Sequence, residues 1–462
     1  MISQKTRQSL MVAVATVLII LGTIVTVYLA QGYRINPKTW AIYTTGLVIV
    51  NSQPSGAKVF LNGTDTKVLT PTRFESVEPG PLSIKLTRSS YQDWQSTKQV
   101  RAYEVVYADY AVMVPTQIPY VRLNPAINFG ATTQAADKKT LFGVNSLSPA
   151  IWRVRNNFID QIYAPTTDNV ASSKLTNLAS NTSGDRLLFS QTTTESPTSS
   201  IFYLDTNNKK AINLTSQFGP TLVDVRFSLA SNDQLYWLNT GNLRRITVSS
   251  QTVTNPLAQN VVSYTLSKSN ILTAEREVSS DGKSRDSIYR YDLDGTNRKH
   301  ISTLAGTAPS YDITFSKGQF EEFLYVYSES DQSLLVTRAP YSTNPTTKTL
   351  TGIMGYSPSI NGRFLVVSDR RGMRSYDLEF VNQTRSDVQL PNYHTWSWYG
   401  EYQIMFVRDN KSYIVDYDGQ NLQELSQNNS SAIQVYPYIS EKGFYAITPT
   451  GQLLLGSLQT KQ

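Results

Sequence analysis

The chain of 462 residues contains no cysteine and only two histidines, His300 and His394. Without thiols it can form no disulfide, thiolate metal site, iron–sulfur cluster or cysteine nucleophile. Neither histidine falls in a Ser-His-Asp arrangement, and no G-x-S-x-G, H-E-x-x-H or P-loop pattern occurs. No catalytic residue, cofactor or metal is therefore expected. Charge is also scarce, at 17% of residues. The net charge of +7 comes from scattered Lys and Arg. No run of them resembles a nucleic-acid stripe, so nucleic acid is not an expected partner.

Tyrosine is abundant, at 28 residues, alongside many Thr and Ser. Aromatic and β-branched side chains suit a pleated, half-buried surface, so a mainly β fold is expected. The length exceeds what one core serves, and more than one domain is expected.

One long apolar run is present. Leu10 to Ala30 carries no charge and follows a polar start containing Lys5 and Arg7. About 21 residues at 1.5 Å each cover roughly 30 Å, the thickness of a hydrocarbon core. Tyr28 and Tyr33 stand where an interfacial aromatic belt would lie. Tyr28-Leu29-Ala30 is a poor small-x-small cleavage site, which favours an uncleaved anchor over a signal peptide. The expected topology is a cytoplasmic segment at 1–9, a transmembrane helix at 10–30 and an extracytoplasmic remainder, single-pass in the plasma membrane. Flanking charges nearly balance, Lys5 and Arg7 against Arg34 and Lys38. The direction rests on the cysteine-free downstream region, which suits an exported bacterial chain.

Residues 45–101 alternate short apolar strands with turn chemistry. The strand 46–52 is followed by Pro54-Ser55-Gly56-Ala57, then Val59-Phe60-Leu61-Asn62-Gly63, Thr70-Pro71, Pro79-Gly80, and Tyr91 with Trp94. Asn-Gly and Pro-Gly mark tight turns. Leu82, Ile84 and Leu86 alternate with Ser83, Lys85 and Thr87, the period of a strand with one buried face. This ordered set resembles the PEGA domain. It departs at Ser90, where the family usually has Gly, and in the added TDTKVL before Thr70. The resemblance implies a small extracytoplasmic β-sandwich serving as a binding or spacer unit, without catalytic residues. Tyr91 and Trp94 are expected in its core.

Residues 102–138 read as a connector. From there to 460 a unit of about 40 residues recurs, the mark of a propeller or similar array. Seven instances align, at 178–190, 227–239, 264–275, 313–329, 356–369, 396–409 and 436–449. Four short strands per unit make a sheet that must stack radially to bury both faces. The fold expected for 139–460 is a β-propeller, seven blades favoured and eight the alternative. Strands within 139–164 either complete the last blade or add one. Asp292, Asp294, Gly295, Asn297, Ile301 and Ser302 repeat as Asp416, Asp418, Gly419, Asn421, Leu425 and Ser426. This pattern resembles the blades of TolB-like propellers, which implies a fold and a capacity to bind proteins or glycans, not a reaction.

Asp224 and Asp312 precede inner strands at comparable positions, with Arg226 close by. The cluster His394-Thr395-Trp396-Ser397-Trp398-Tyr399 allows packing between blades or a stacking platform for sugar rings. The candidate ligand-binding residues are therefore Asp224, Arg226, Asp312, His394, Trp396 and Trp398. The expected function is a membrane-anchored binding or scaffold protein. Its expected partners are the lipid bilayer through 10–30 and peptidoglycan, envelope glycan or a surface protein. The alternative is a glycan-active enzyme, recognisable by paired carboxylates about 5–10 Å apart at the channel mouth.

Overall fold

The computed structural model describes residues 4–30, 33–35, 42–165, 173–193, 198–222, 224–278, 282–318, 321–378, 382–391, 395–426 and 431–460. These fall into two compact units. One runs to Gln117 and takes in the chain end from Gln459; the other is Ile118–Leu458.

The first unit begins with helix α1, Gln4–Ala30. Its span Met11–Tyr28 is apolar and long enough to cross a membrane, and its side chains are exposed. A helix of this length and composition serves as a membrane anchor or a signal sequence. Thr16, Thr23 and Thr26 donate their hydroxyls to the carbonyls of Val12, Ile19 and Gly22 at 2.8–2.9 Å. Each polar side chain is thereby satisfied inside the helix, as a hydrocarbon environment demands. A short hairpin pairs Tyr33–Ile35 with Ile42–Thr44.

A sandwich of two sheets follows. The strands Thr72–Val77, Gly46–Gln53 and Val105–Val112 form one; Thr64–Leu69, Lys58–Leu61, Gly80–Thr87 and Trp94–Val100 form the other. The alternation read from sequence holds: Leu82, Ile84 and Leu86 are buried with Val48 and Val50. Trp94 is fully buried and meets Tyr110 edge-on at 5.8 Å. The inserted TDTKVL is itself the edge strand Thr64–Leu69. Thr70 then clamps the Pro-Ser-Gly-Ala turn. Its hydroxyl accepts from the Ala57 N–H at 3.0 Å and lies 2.6 Å from the Ser52 hydroxyl. Tyr91 is buried, and its hydroxyl accepts from the Thr460 backbone N–H at 2.9 Å.

The second unit holds eight four-stranded antiparallel sheets among the described residues. In chain order they span 129–163, 174–213, 225–253, 261–303, 312–351, 353–386 and 397–424. The eighth combines 434–457 with Tyr120–Leu123. The stretch 102–138 is thus more than a connector. It contributes Val105–Val112 to the sandwich, Tyr120–Leu123 to the eighth sheet and Phe129–Gln134 to the first. The strands at 140–163 build a sheet of their own, and the eighth is completed by Tyr120–Leu123, paired with Leu453 to Gly456.

Apolar clusters join successive sheets into a ring. Phe142 and Ile151 of the first sheet pack with Leu187 and Phe189 of the second. Leu188 packs with Leu235 and Trp237, and Tyr236 with Tyr264 and Ile271. Leu272 meets Leu324, Tyr325 meets Leu365, and Phe364 meets Trp398 and Phe406. The Tyr120 hydroxyl donates to the Leu425 carbonyl at 2.5 Å, linking the eighth sheet to the seventh. Phe129 and Leu141 pack with Tyr438 and Leu453, so the eighth sheet closes onto the first. A closed ring packs the faces of each sheet against its neighbours and leaves only short edges, as a propeller requires.

Candidate functional site

The inner edge of the ring is formed by the first strand of each of the first seven sheets and by Gln434–Tyr438 in the eighth: Phe129–Gln134 adjoins Lys174–Ser180, Val261–Leu266 adjoins Asp312–Lys317, and Ser397–Tyr399 adjoins Gln434–Tyr438. Along these strands polar side chains tie neighbouring sheets together. The Tyr264 hydroxyl donates to the Asp224 and Tyr236 carbonyls at 2.8 and 2.9 Å. The Tyr356 hydroxyl lies 2.9 Å from the Thr314 hydroxyl, Trp398 Nε1 donates to the Ser357 hydroxyl at 3.0 Å, and the Tyr436 and Thr132 hydroxyls are 2.7 Å apart. From the turn after the first strand of the first sheet, Lys138 Nζ reaches the Ser397 hydroxyl of the seventh at 3.1 Å. Burial pulls its ammonium pKa below the ordinary lysine value.

Asp224, at φ +44°, and Arg226 flank the start of the strand Val225–Phe227. The Arg226 guanidinium grips the Asp224 carboxylate through two hydrogen bonds, at 2.8 and 3.2 Å. It also donates to the Tyr264 carbonyl and lies over the Tyr264 ring at 4.6 Å. The crowded wall disfavours the cation, but Asp224, Tyr264 and Asp312 together hold the Arg226 pKa above its usual value. Sequence reasoning therefore selected three residues, Asp224, Arg226 and Asp312, that share one electrostatic neighbourhood. Trp396 and Trp398 are buried, at 7% and 5% exposure, within the cluster between the sixth and seventh sheets. Packing between blades is the role their burial favours, and Trp398 adds the bond to Ser357. His394 lies outside the described residues.

The Asp-Gly repeats are turn chemistry. Asp294 accepts from the Thr296 N–H at 2.9 Å, and Asn297 donates to Asp292 at 2.6 Å. Gln420 N–H and Asn421 make the matching bonds to Asp418 and Asp416, at 3.1 and 2.8 Å. His300, on an outer strand, meets Thr303 at 3.1 Å and the edge of Tyr289.

A cleft of about 520 Å³ opens where three turns meet, those following the first strands of the fifth, sixth and seventh sheets. Lys317, at the end of the strand Asp312–Lys317, is on its rim. Asp312 begins the same strand, about 16 Å away at 3.3 Å per residue. The cleft and the Asp224–Arg226–Asp312 group thus lie toward opposite ends of the inner strands. Phe323, Leu378 and Tyr402 give the cleft apolar walls. Glu321 and Arg338 pair across two hydrogen bonds, and that bond to Arg338 holds the Glu321 carboxyl below its usual pKa. Asn361 donates to the Glu401 carboxylate at 2.9 Å. Gly362, at φ +70°, lets the sixth-sheet turn press against the fifth: a Cβ there would sit 2.9 Å from the Lys317 carbonyl.

No sequence signal singled out this cleft. Its residues sit in S-K-G, I-N-G-R and Y-G-E-Y, which occupy equivalent turns of three consecutive repeat units. Stacking those units in register, and asking which turns carry charge, was the available route to it.

Residues 45–114 match the family model described as the PEGA domain, extending past 101 to include the strand Val105–Val112. No curated protein matches the chain. Among solved structures, the β-propeller domain of Myceliophteria thermophila Cps50 is 10% identical, with a TM-score of 0.40, covering 74% of this chain and 100% of that one. Porphyromonas gingivalis dipeptidyl peptidase 4 is 12% identical, with a TM-score of 0.47, covering 69% and 56%. An oligogalacturonate lyase in complex with manganese is 13% identical, with a TM-score of 0.40, covering 72% and 99%. From its own architecture and the family match, the chain carries an apolar N-terminal helix, a PEGA domain at 45–114 and a β-propeller.

Proposed function

We propose that the protein is a membrane-anchored binding or scaffold protein, held by α1 with its N-terminus in the cytoplasm, and that its propeller recognises envelope glycans outside the cell. The carrying observation is the cleft between the fifth, sixth and seventh sheets. At about 520 Å³ it has the size of a small-ligand pocket, whereas a protein partner needs a broad surface of about 800 Å². Its walls combine apolar and aromatic side chains with planar hydrogen-bonding groups, Asn361, Glu401 and Arg338. Sugar rings present apolar faces edged by hydroxyls, and that combination meets both.

The carboxylates favour recognition over cleavage. A glycosidase needs one carboxyl kept protonated near neutral pH. Glu321 is instead held ionised by Arg338. The test is to incubate the full-length protein, in detergent, with fragments of envelope glycan, following both retention and release of new reducing ends. Saturable retention without new ends is expected. Glycan cleavage that disappears with Glu401→Gln would replace this reading with the enzymatic one.

A further inference from the structure

We infer that the outer face of the three-stranded sheet of the PEGA domain rests on the interface of the bilayer that α1 crosses; this builds on the membrane-anchored reading above. In this sheet Gly46–Gln53 and Val105–Val112 run parallel, with Leu47 opposite Val105 and Ile49 opposite Tyr107. Alternation turns Leu47, Ile49, Val105 and Tyr107 away from the sandwich core. Val105 and Tyr107 are 41% and 46% exposed, and Tyr103, just ahead of them, is 56% exposed. Nothing in the sandwich needs this face to be apolar, since the core lies on the other side with Val48, Val50 and Ala108.

Two observations name the bilayer as what covers it. First, the face begins beside the helix end. Tyr28, in the last turns of α1, meets Tyr33 at 5.2 Å, and Tyr33 meets Tyr103 at 5.5 Å. Backbone bonds from Tyr103 to Thr45 and from Leu47 to Glu104 fix that end of the sheet at 3.0 Å each. Tyrosines in such a row suit the headgroup level, where an amphipathic ring finds both media. Arg34 lies among them, bonded to the Ser76 hydroxyl at 2.9 Å, where a cation can meet lipid phosphates. Second, the outward positions of this face mix apolar and charged groups: Leu47, Ile49, Val105 and Tyr107 lie beside the edge strand Thr72–Val77, which adds the exposed Arg73, opposite Ile49, and Glu75. The apolar pairs lie toward the starts of the two parallel strands, and exposed Asp109 lies one alternation beyond Tyr107. Aliphatic and aromatic side chains bordered by charged ones suit the headgroup region, where apolar and polar media meet.

The absence of cysteine makes the test direct. Single cysteines at Ile20→Cys, Val105→Cys, Tyr107→Cys and Asp109→Cys are spin-labelled. The full-length protein is placed in vesicles of phosphatidylethanolamine and phosphatidylglycerol. Collision with oxygen is compared with collision with a water-soluble nickel chelate. The expected result is a label at 20 in hydrocarbon, labels at 105 and 107 favouring oxygen severalfold over the label at 109, and the label at 109 in water. A label at 20 in hydrocarbon with 105 and 107 as wet as 109 overturns the seating of the sheet while leaving the anchor. A label at 20 in water overturns the anchor itself. Val105 and Tyr107 are separate exposed sites, so one poorly folding variant does not decide the matter.

Discussion

Asp286 offers a quantitative test of how the ring is held. It is fully buried on the third strand of the fourth sheet, yet its carboxylate is surrounded by donors. Arg276 donates twice, at 2.9 and 2.8 Å, the Tyr311 hydroxyl at 2.8 Å and the Ala308 N–H at 3.2 Å. Ala308 and Tyr311 belong to the passage from the fourth sheet to the fifth, so this carboxylate pins one blade-to-blade connection. The substitution Asp286→Asn keeps the shape but sets an amide against donors. Bonds to charged groups are worth about 1.5–3 kcal/mol each, and solvent screens much of the share of Arg276, which is 39% exposed. A net loss of about 2–3 kcal/mol is expected. An unfolding entropy of roughly 2.1 cal/mol/K per residue over about 340 residues makes that about 3–4 °C in Tm. The pH dependence is the sharper signature. Burial alone would raise the Asp286 pKa, but Arg276, Tyr311 and Ala308 hold it below the usual carboxylate value. A depressed folded-state pKa gives stability that is full above the unfolded value of about 3.9 and is lost as pH falls through the folded one. Thermal unfolding of both proteins, followed by circular dichroism from neutral to acidic pH, should show the deficit shrink below about pH 4. A deficit absent at neutral pH, or one of equal size in acid, would refute the reasoning.

Other perturbations follow from the same structure. Ser90 holds φ +67°, a conformation costing a non-glycine residue about 1–2 kcal/mol, so Ser90→Gly should raise the Tm, and an unchanged or lower Tm contradicts the strain. Gly456→Ala places a Cβ 2.5 Å from the Phe444 ring beside the closing strand Tyr120–Leu123. It should cost about 1–3 kcal/mol and speed hydrogen exchange at 120–123; normal protection there counts against that closure. Trp398→Phe removes the donor to Ser357 and should cost about 1 kcal/mol while leaving glycan affinity intact; lost affinity at unchanged Tm would restore the stacking-platform role.

Local chemistry made much of this legible. The PEGA domain is written in turns whose residues act within a few positions, as Asn62-Gly63 at φ +46° and +80° illustrates. Ser90 stood out as a departure because glycine is what its backbone prefers. The repeat of apolar strand, turn and apolar strand also revealed the propeller. The first and eighth sheets were harder to read for two physical reasons. Tyr120–Leu123 pairs with residues more than 300 positions away, which no local pattern encodes. The first sheet turns at Asn156-Asn157, at φ +52° and +62°, so a search for Asp-Gly tips passes over it. The cleft was hidden differently. Lys317 ends a strand, Asn361 and Glu401 sit in ordinary turns, and their meeting depends on the stacking of three sheets. Trp396 and Trp398 pose the opposite problem: large aromatics are conspicuous in sequence whether they bind ligand or fill a core, and these two are buried between sheets.

The central claim is that the propeller recognises glycan at the cleft formed by the fifth, sixth and seventh sheets. Its most direct test is the affinity of the full-length protein for an envelope glycan fragment, measured by calorimetry beside Glu401→Ala and Asp312→Asn. Loss of an interaction worth about 1.4 kcal/mol or more should weaken binding at least tenfold in Glu401→Ala, while Asp312→Asn binds as the unaltered protein does. Equal binding by all three, or loss confined to Asp312→Asn, would contradict the account.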